Sequence, residues 1–189
     1  MVRHAPTIWN ELGLCQGWLS GELVEDYQLV VETIASKLLS SGRMIKTLIS
    51  SDTSRAKETA ESLFARLKCE ELIFSPLLRE INFGVFEGKH PKVIEERQPN
   101  IYDQENLFRH EVKLLGGESL NCQRRRTEAF INWLLATKLC FSEICLVCHE
   151  GTIRMMRSVV TGTPFNTLYR SHSIHHCDLH PIRPLEFTF

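Results

Sequence analysis

Hydrophobic residues recur along much of the chain at the spacing of one helical face, which predicts four long helices. The apolar stripes span about residues 27–39, 56–67, 120–135 and 153–160. Gly42 and Gly162 follow two of these stripes, and glycine is favoured in the left-handed conformation that ends many helices. Ser51 or Asp52 is placed to cap the second helix.

Short apolar runs between the helices predict β-strands over 47–50, 72–74 and 144–148, with a last strand within 173–180. Only Met1 and Val2 precede Arg3, so any strand at the start is very short. The alternation of strands and helices indicates an α/β fold. We expect a three-layer sandwich in which helices cover both faces of a mainly parallel sheet.

Composition narrows the class of protein. A chain of 189 residues with 43% hydrophobic residues suits one domain with a substantial core. The 22 basic and 23 acidic side chains give a net charge of −1, which argues against nucleic acid or a membrane surface as partner. No apolar run reaches the length of a membrane span, and no signal peptide is recognised. Seven scattered cysteines favour a reduced, cytoplasmic protein. Separately, we expect a monomer or homodimer.

Residues able to handle a phosphoryl group stand where the predicted strands end, and such ends meet at one edge of a parallel sheet. Arg3 can grip a phosphate in two places, and a neutral His4 is a competent nucleophile. Arg55 lies in the first turn of a helix, where free backbone N–H groups also favour an anion. His149 directly follows the apolar run. The ordinary alternatives are a solvated helix residue for Arg55 and a packed edge histidine for His149.

Four stretches together carry a family resemblance: Arg3-His4, 51–60, 78–88 and 147–154, with Gly117-Glu118-Ser119 before the long helix. In this order they resemble the histidine phosphatase superfamily, which includes the cofactor-dependent phosphoglycerate mutases. The likeness covers nearly the whole chain. It implies a phosphoglycerate mutase-like fold with one domain over 1–189. The broad-specificity or alpha-ribazole-type phosphatases are the expected branch. The polar segment 100–115 suggests a lid or inserted lobe at about 76–115.

The resemblance also implies roles for single residues. His4 resembles the nucleophile that becomes phosphohistidine, and one of its ring nitrogens should then be held by a backbone carbonyl. Glu80 resembles the general acid, whereas Glu87, a rival carboxylate on the same loop, is interpreted as structural support. The other implied residues are Arg3, Arg55 and His149 in a cationic pocket, and Asn10, Gln16 and Gly17 in the substrate pocket.

The sequence therefore predicts a metal-independent phosphatase that acts on a small phosphorylated metabolite and needs no cofactor. Two alternatives stay open: a phosphoglycerate mutase, and a catalytically impaired protein that binds a phospho-ligand. The resemblance implies that mutases of this superfamily are usually longer, with a larger lobe and a C-terminal tail. The short stretch after the last predicted strand therefore favours water as the acceptor of the phosphoryl group. Glu150 stands where many relatives have glycine, and we expect its carboxylate to point away from the phosphate. His175, His176, Cys177 and His180 are possible metal ligands, but a polar end strand is the favoured interpretation of this stretch.

Overall fold

The computed structural model describes residues 1–105, 107–137, 139–171 and 173–181. The strands are β1 (Val2–Arg3), β2 (Thr47–Ser51), β3 (Glu71–Ser75) and β4 (Ile144–Cys148). They form one parallel sheet in the order β1-β4-β2-β3. The α-helices are α1 (Ile8–Glu11), α2 (Tyr27–Ser40), α3 (Ser54–Leu67), α4 (Lys92–Arg97), α5 (Leu120–Ala136), α6 (Glu150–Thr161) and α7 (Phe165–Ser171).

Helices cover both faces of the sheet, which confirms the predicted three-layer α/β architecture. On one face α2 and α3 pack through a core that includes Ile34, Leu63 and Val147. On the other face α5 and α6 pack through Phe130 and Ile153. All five side chains are fully buried. Strand β4 lies between two neighbours, as expected of a continuous apolar run.

The strand predicted within 173–180 is not formed, because residues 173–181 follow turns and irregular backbone. His180 does exchange two backbone hydrogen bonds with Met1, both 2.8 Å long. The two residues of β1 offer too short a partner for a longer ladder on that side. Segment 174–180 instead brings His176 against His4.

The predicted caps of α3 are also wrong. The N-cap is Thr53, whose side chain makes no capping hydrogen bond. Ser51 Oγ lies 2.9 Å from His149 Nε2, and Asp52 accepts hydrogen bonds of 2.6 and 2.5 Å from Arg79. Tertiary partners therefore take both side chains away from the helix end. Helices α1 and α7 form in segments whose apolar stripes are too short to predict them.

Segment 76–115 contributes α4 and the 3-10 turns Pro76–Leu78, Gly84–Phe86 and Pro99–Ile101. Its own small core includes Phe86, Ile94 and Leu114. That this segment acts as a lid stays a prediction, and so does a single domain over 1–189. Residues 182–189 lie outside the described residues. Within the described ranges, no helix is long and apolar enough to cross a membrane.

Candidate active site

A cavity of about 270 Å³ opens at the edge of the sheet where β1, β2 and β4 end. His149 is not on its wall: it is buried behind His4, and the two ring centres are 5.1 Å apart. The structure thus brings the distant sequence stretches to one place, with His149 in a supporting position. Seven of the eight predicted site residues line the cavity: Arg3, His4, Asn10, Gln16, Gly17, Arg55 and Glu80.

The ring of His4 is held in one tautomer. Its Nδ1 lies 2.7 Å from the carbonyl oxygen of Ala5, and only a protonated nitrogen can donate to a carbonyl. The Nε2 atom accepts a hydrogen bond of 3.3 Å from Nε of Arg55. Burial first, then the nearby Arg55 and His149, hold the pKa of His4 well below its usual range. His4 is therefore neutral, and the lone pair of its Nε2 faces Arg55. The carbonyl oxygen of Ala5 is the backbone acceptor that the sequence predicts for the other ring nitrogen.

The backbone around His4 is fixed on three sides. The N–H of His4 donates to Cys148 O in β4 at 2.9 Å, and the N–H of Ala5 donates to Thr59 Oγ1 at 3.0 Å. Nδ1 of His176 donates to the carbonyl oxygen of His4 at 2.5 Å. Burial lowers the pKa of His176 to about 4, so this ring is also neutral at physiological pH. The position of the candidate nucleophile thus depends on three separate parts of the chain.

Arg55 joins the loop after β1 to both active-site histidines. Its Nη1 donates to Leu19 O at 2.9 Å, and its Nη2 donates to Gly17 O at 2.8 Å and to His149 Nδ1 at 3.1 Å. Burial lowers the pKa of the guanidinium to about 10, so Arg55 stays cationic at neutral pH. A cation therefore lies beside the unprotonated nitrogen of His4 and donates a hydrogen bond to it.

His149 has polar partners on both of its ring nitrogens. Its Nε2 lies 2.9 Å from Ser51 Oγ and 3.2 Å from Thr53 Oγ1, while Nδ1 accepts from Arg55. Burial, followed by the positive charge of Arg55, holds the pKa of His149 well below its usual range. His149 is therefore neutral here, and the cationic side chains beside His4 are Arg3 and Arg55.

Glu150 does not point away from the cavity, contrary to the expectation from the sequence. It lines the cavity, and its Oε2 pairs with Arg3 Nη1 at 2.8 Å. Its other carboxylate oxygen pairs with Arg154 one turn along α6. Two guanidinium groups therefore attract this carboxylate inward, and Arg3 shares its charge with Glu150.

The two candidate carboxylates of the loop after β3 have different surroundings. Glu80 lines the cavity and accepts hydrogen bonds of 2.9 Å from the N–H of Ile81, 2.9 Å from the N–H of Gly151 and 3.2 Å from Gln123. Its position at the first turn of α6 also places it near the positive end of that helix.

Glu87 accepts instead from three backbone N–H groups, those of Trp18 at 2.8 Å, Leu19 at 3.2 Å and Phe83 at 3.2 Å. It packs so closely on Gly17 that a Cβ there would lie 2.0 Å from its Oε1. Glu87 thereby supports the loop whose carbonyl groups hold Arg55. This agrees with the structural role suggested by the sequence.

Sequence reasoning missed three residues that contact the predicted site: Gln123, Glu150 as an inward carboxylate, and His176. Gln123 lies on a helical stripe position that would also accept an ordinary core residue. For His176 the sequence suggests only a possible metal ligand within a polar end strand. Among the residues that the structure describes, no group of three or more His, Cys, Asp or Glu side chains is arranged to hold a metal ion.

Comparison with known proteins gives a family match over almost the entire chain. The family described as "Histidine phosphatase superfamily (branch 1)" matches residues 1–186. A "Metal-independent phosphoserine phosphatase" of Arabidopsis thaliana is 29% identical over 162 residues, which cover 85% of this chain and 67% of that protein. A "Probable phosphoglycerate mutase GpmB" of Proteus mirabilis is 29% identical over 171 residues, covering 87% of this chain and 74% of that protein.

Solved structures share the fold. The alpha-ribazole phosphatase from Shigella flexneri is 20% identical, with a TM-score of 0.69 over 89% of this chain and 81% of that chain. At this level of identity the likeness concerns the arrangement of the sheet and helices.

Proposed function

Because the chain belongs to the histidine phosphatase superfamily, as its motifs predicted, we propose that it hydrolyses a small phosphomonoester through a phosphohistidine on His4. The class of enzyme, a phosphatase of this superfamily, is confirmed by the family match and by the relatives that are named phosphatases. One observation carries the finer proposal. The bond from His4 Nδ1 to Ala5 O places the lone pair on Nε2, where its partner is the cation of Arg55 at 3.3 Å, which must release it as phosphorus approaches.

In the first step, Nε2 of His4 attacks phosphorus and the bond to the ester oxygen breaks. The N–H groups of Arg55 that contact Nε2 and His149 come within reach of the phosphoryl oxygens on that nitrogen. Fixed cations are the main requirement of phosphoryl transfer, because negative charge spreads over those oxygens. Glu80, on the same cavity wall, enters this step in its protonated form and gives that proton to the departing oxygen; the second step restores it.

In the second step, the carboxylate of Glu80 takes a proton from a water molecule that attacks phosphorus. The N–P bond breaks and its electron pair returns to Nε2, so His4 regains its starting state. The bond from Nδ1 to Ala5 O keeps the same tautomer throughout. Arginine side chains neutralise the phosphoryl charge at each stage, and we therefore propose a reaction without a metal or other cofactor.

Mutase chemistry is the second candidate, because one relative at 29% identity bears the name of a phosphoglycerate mutase. A mutase must return the phosphoryl group of His4 to a second hydroxyl before water takes it. With phosphoglycerates as substrates, release of inorganic phosphate would support hydrolysis. Interconversion of the 2- and 3-phosphoglycerates without that release would support the mutase.

We also propose that the ligand is a small phosphorylated metabolite and that the protein acts in the cytoplasm. The volume of the cavity, about 270 Å³, suits a small molecule. All seven cysteines are free thiols, in keeping with a reducing compartment. The choice between monomer and homodimer stays a prediction that light scattering tests.

Steady-state hydrolysis of p-nitrophenyl phosphate in excess EDTA tests the proposed function. Wild-type protein should release phosphate at the same rate with and without the chelator, whereas His4→Ala should be inactive. Loss of activity in EDTA that Zn²⁺ or Mg²⁺ restores would contradict the metal-independent reaction. A wild-type protein that binds phosphate but hydrolyses no phosphomonoester would be the catalytically impaired binder.

A further inference from the structure

Beyond the catalytic residues, the cavity continues into a chamber with an aromatic wall. We use that name for Tyr102, Phe108, Phe165 and Tyr169, all of which line the cavity. Phe108 lies 5.0 Å from Tyr102 and 5.3 Å from Tyr169 between ring centres, and the Phe165 and Tyr169 rings stack at 6.3 Å. These contacts link segment 76–115 to α7. The wall is therefore a continuous aromatic surface rather than separate exposed rings.

Aliphatic side chains from segment 76–115 complete the chamber. Ile81, next to the candidate acid Glu80, and Val112 line it together with Leu114. Ile81 and Val112 are half-buried, so they are accessible to a ligand inside the cavity. Because Ile81 adjoins Glu80, the chamber begins where the departing oxygen of a substrate would lie.

The carboxylates on the same wall already bind protein donors. Glu118 accepts from both Nε and Nη2 of Arg126 at 2.9 Å, and Glu150 is paired with Arg3 and Arg154. The guanidinium of Arg154 also lies over the Tyr169 ring, 5.1 Å from its centre. A polar leaving group would give up water on entering the chamber and would compete with these existing pairs. An apolar leaving group would only displace water from the aromatic and aliphatic side chains of the chamber.

We propose that the chamber holds an apolar leaving group, so that the preferred substrates are phosphate monoesters of hydrophobic alcohols. This proposal rests on the proposed phosphatase function and specifies its substrate class. It differs from what the name of the Arabidopsis thaliana relative says of that protein, since serine is small and polar. The chemistry recognised is a ring or an alkyl chain of comparable size attached to a primary phosphate ester.

The test compares primary phosphate esters; the ethyl, hexyl and 2-phenylethyl esters have alcohols of similar acidity, so that leaving-group chemistry does not set the order among these three. Ethyl, hexyl and 2-phenylethyl phosphate and O-phospho-L-serine are assayed in EDTA at one pH. Burial of a ring-sized apolar group should raise kcat/KM for 2-phenylethyl over ethyl phosphate by roughly tenfold to a hundredfold. The gain should lie mainly in KM, because these contacts are equal in the ground and transition states.

A matched pair of Val→Asp variants locates the contact. Val112→Asp places a charge in the chamber, and the ratio of kcat/KM between 2-phenylethyl and ethyl phosphate should fall toward one. Val85→Asp makes the same change at an exposed position outside the cavity wall and should retain the wild-type ratio. The substrate series on wild-type protein needs no variant, so it decides the matter even if Val112→Asp does not fold.

The outcomes separate the proposal from the function on which it rests. Activity on none of the phosphomonoesters would contradict the phosphatase itself. Activity with ethyl phosphate or phosphoserine equal to or above that with 2-phenylethyl and hexyl phosphate would overturn the apolar chamber while hydrolysis stands. A preference for phosphoserine that Arg109→Ala removes would assign recognition to this exposed arginine on the cavity wall.

Discussion

Replacing Glu80 by glutamine removes the proposed proton donor and keeps the shape of the side chain. A positioned general acid contributes about 10²–10⁴-fold to a rate, so Glu80→Gln should slow hydrolysis of an alkyl phosphate by that factor. Hydrolysis of p-nitrophenyl phosphate should slow much less, because its leaving group departs readily as an anion. This holds when dephosphorylation of His4 is not rate-limiting. If it becomes so, phosphoenzyme should accumulate with the activated substrate.

The structure also sets the stability cost of this change. Glu80 accepts from the N–H of Ile81, the N–H of Gly151 and Gln123, whereas a glutamine amide has only one acceptor oxygen. At least one donor then loses its partner, at a cost of about 1–3 kcal/mol. For a chain of this length each kcal/mol lowers Tm by about 2–4 °C. Thermal melting therefore shows whether the assay temperature remains below unfolding.

Glu87→Gln is the matched control. Glu87 also accepts three hydrogen bonds, all from backbone N–H groups, so a similar loss of stability is expected. Its carboxylate supports the loop beside Arg55, and the variant should show no dependence on the leaving group. A leaving-group-dependent loss in Glu87→Gln, with none in Glu80→Gln, would refute the assignment of the acid.

Three further predictions follow from side chains around His4. His176→Ala should lower kcat with little change in KM, because the 2.5 Å hydrogen bond to His4 O is lost. His176→Asn should recover part of the rate, because its side-chain amide can donate a similar bond. An unchanged kcat in His176→Ala would contradict this positioning role. Burial lowers the pKa of His176 from 6.5 to about 4, so the unfolded chain binds this proton more tightly. Urea melts should therefore show the free energy of unfolding falling as pH drops from 6.5 to 4, less steeply in His176→Asn, and equal slopes would be the contrary result. Glu150→Gln should tighten competitive inhibition by inorganic phosphate several-fold, since Arg3 is released from its 2.8 Å ion pair, and unchanged inhibition would show that the two do not compete.

The parts of the site that the sequence predicts are those that the parallel sheet itself determines. His4 and His149 follow paired strands β1 and β4, and Arg55 opens the helix after β2. Once the strand order places β4 between β1 and β2, these residues must meet at one edge. The short apolar runs and helical stripes of the sequence are enough to predict that these three residues lie at the same edge of a parallel sheet.

The remaining contacts depend on packing that no local pattern encodes. His176 and His4 are separated by 172 positions, and their bond exists because segment 174–180 turns back beside β1. The inward direction of Glu150 depends on Arg3 and Arg154 acting together. The neutral state of His149 likewise results from burial, which is a property of the assembled layers.

Trapping the phosphoenzyme tests the central claim most directly. Wild-type protein mixed with a radiolabelled aryl phosphate and quenched in alkali should carry the label on His4, identified by mass spectrometry of its peptides. The label should survive alkali, be lost in acid and be absent from His4→Ala. An acid-stable label, a label on another residue, or full turnover by His4→Ala would contradict a phosphohistidine at His4.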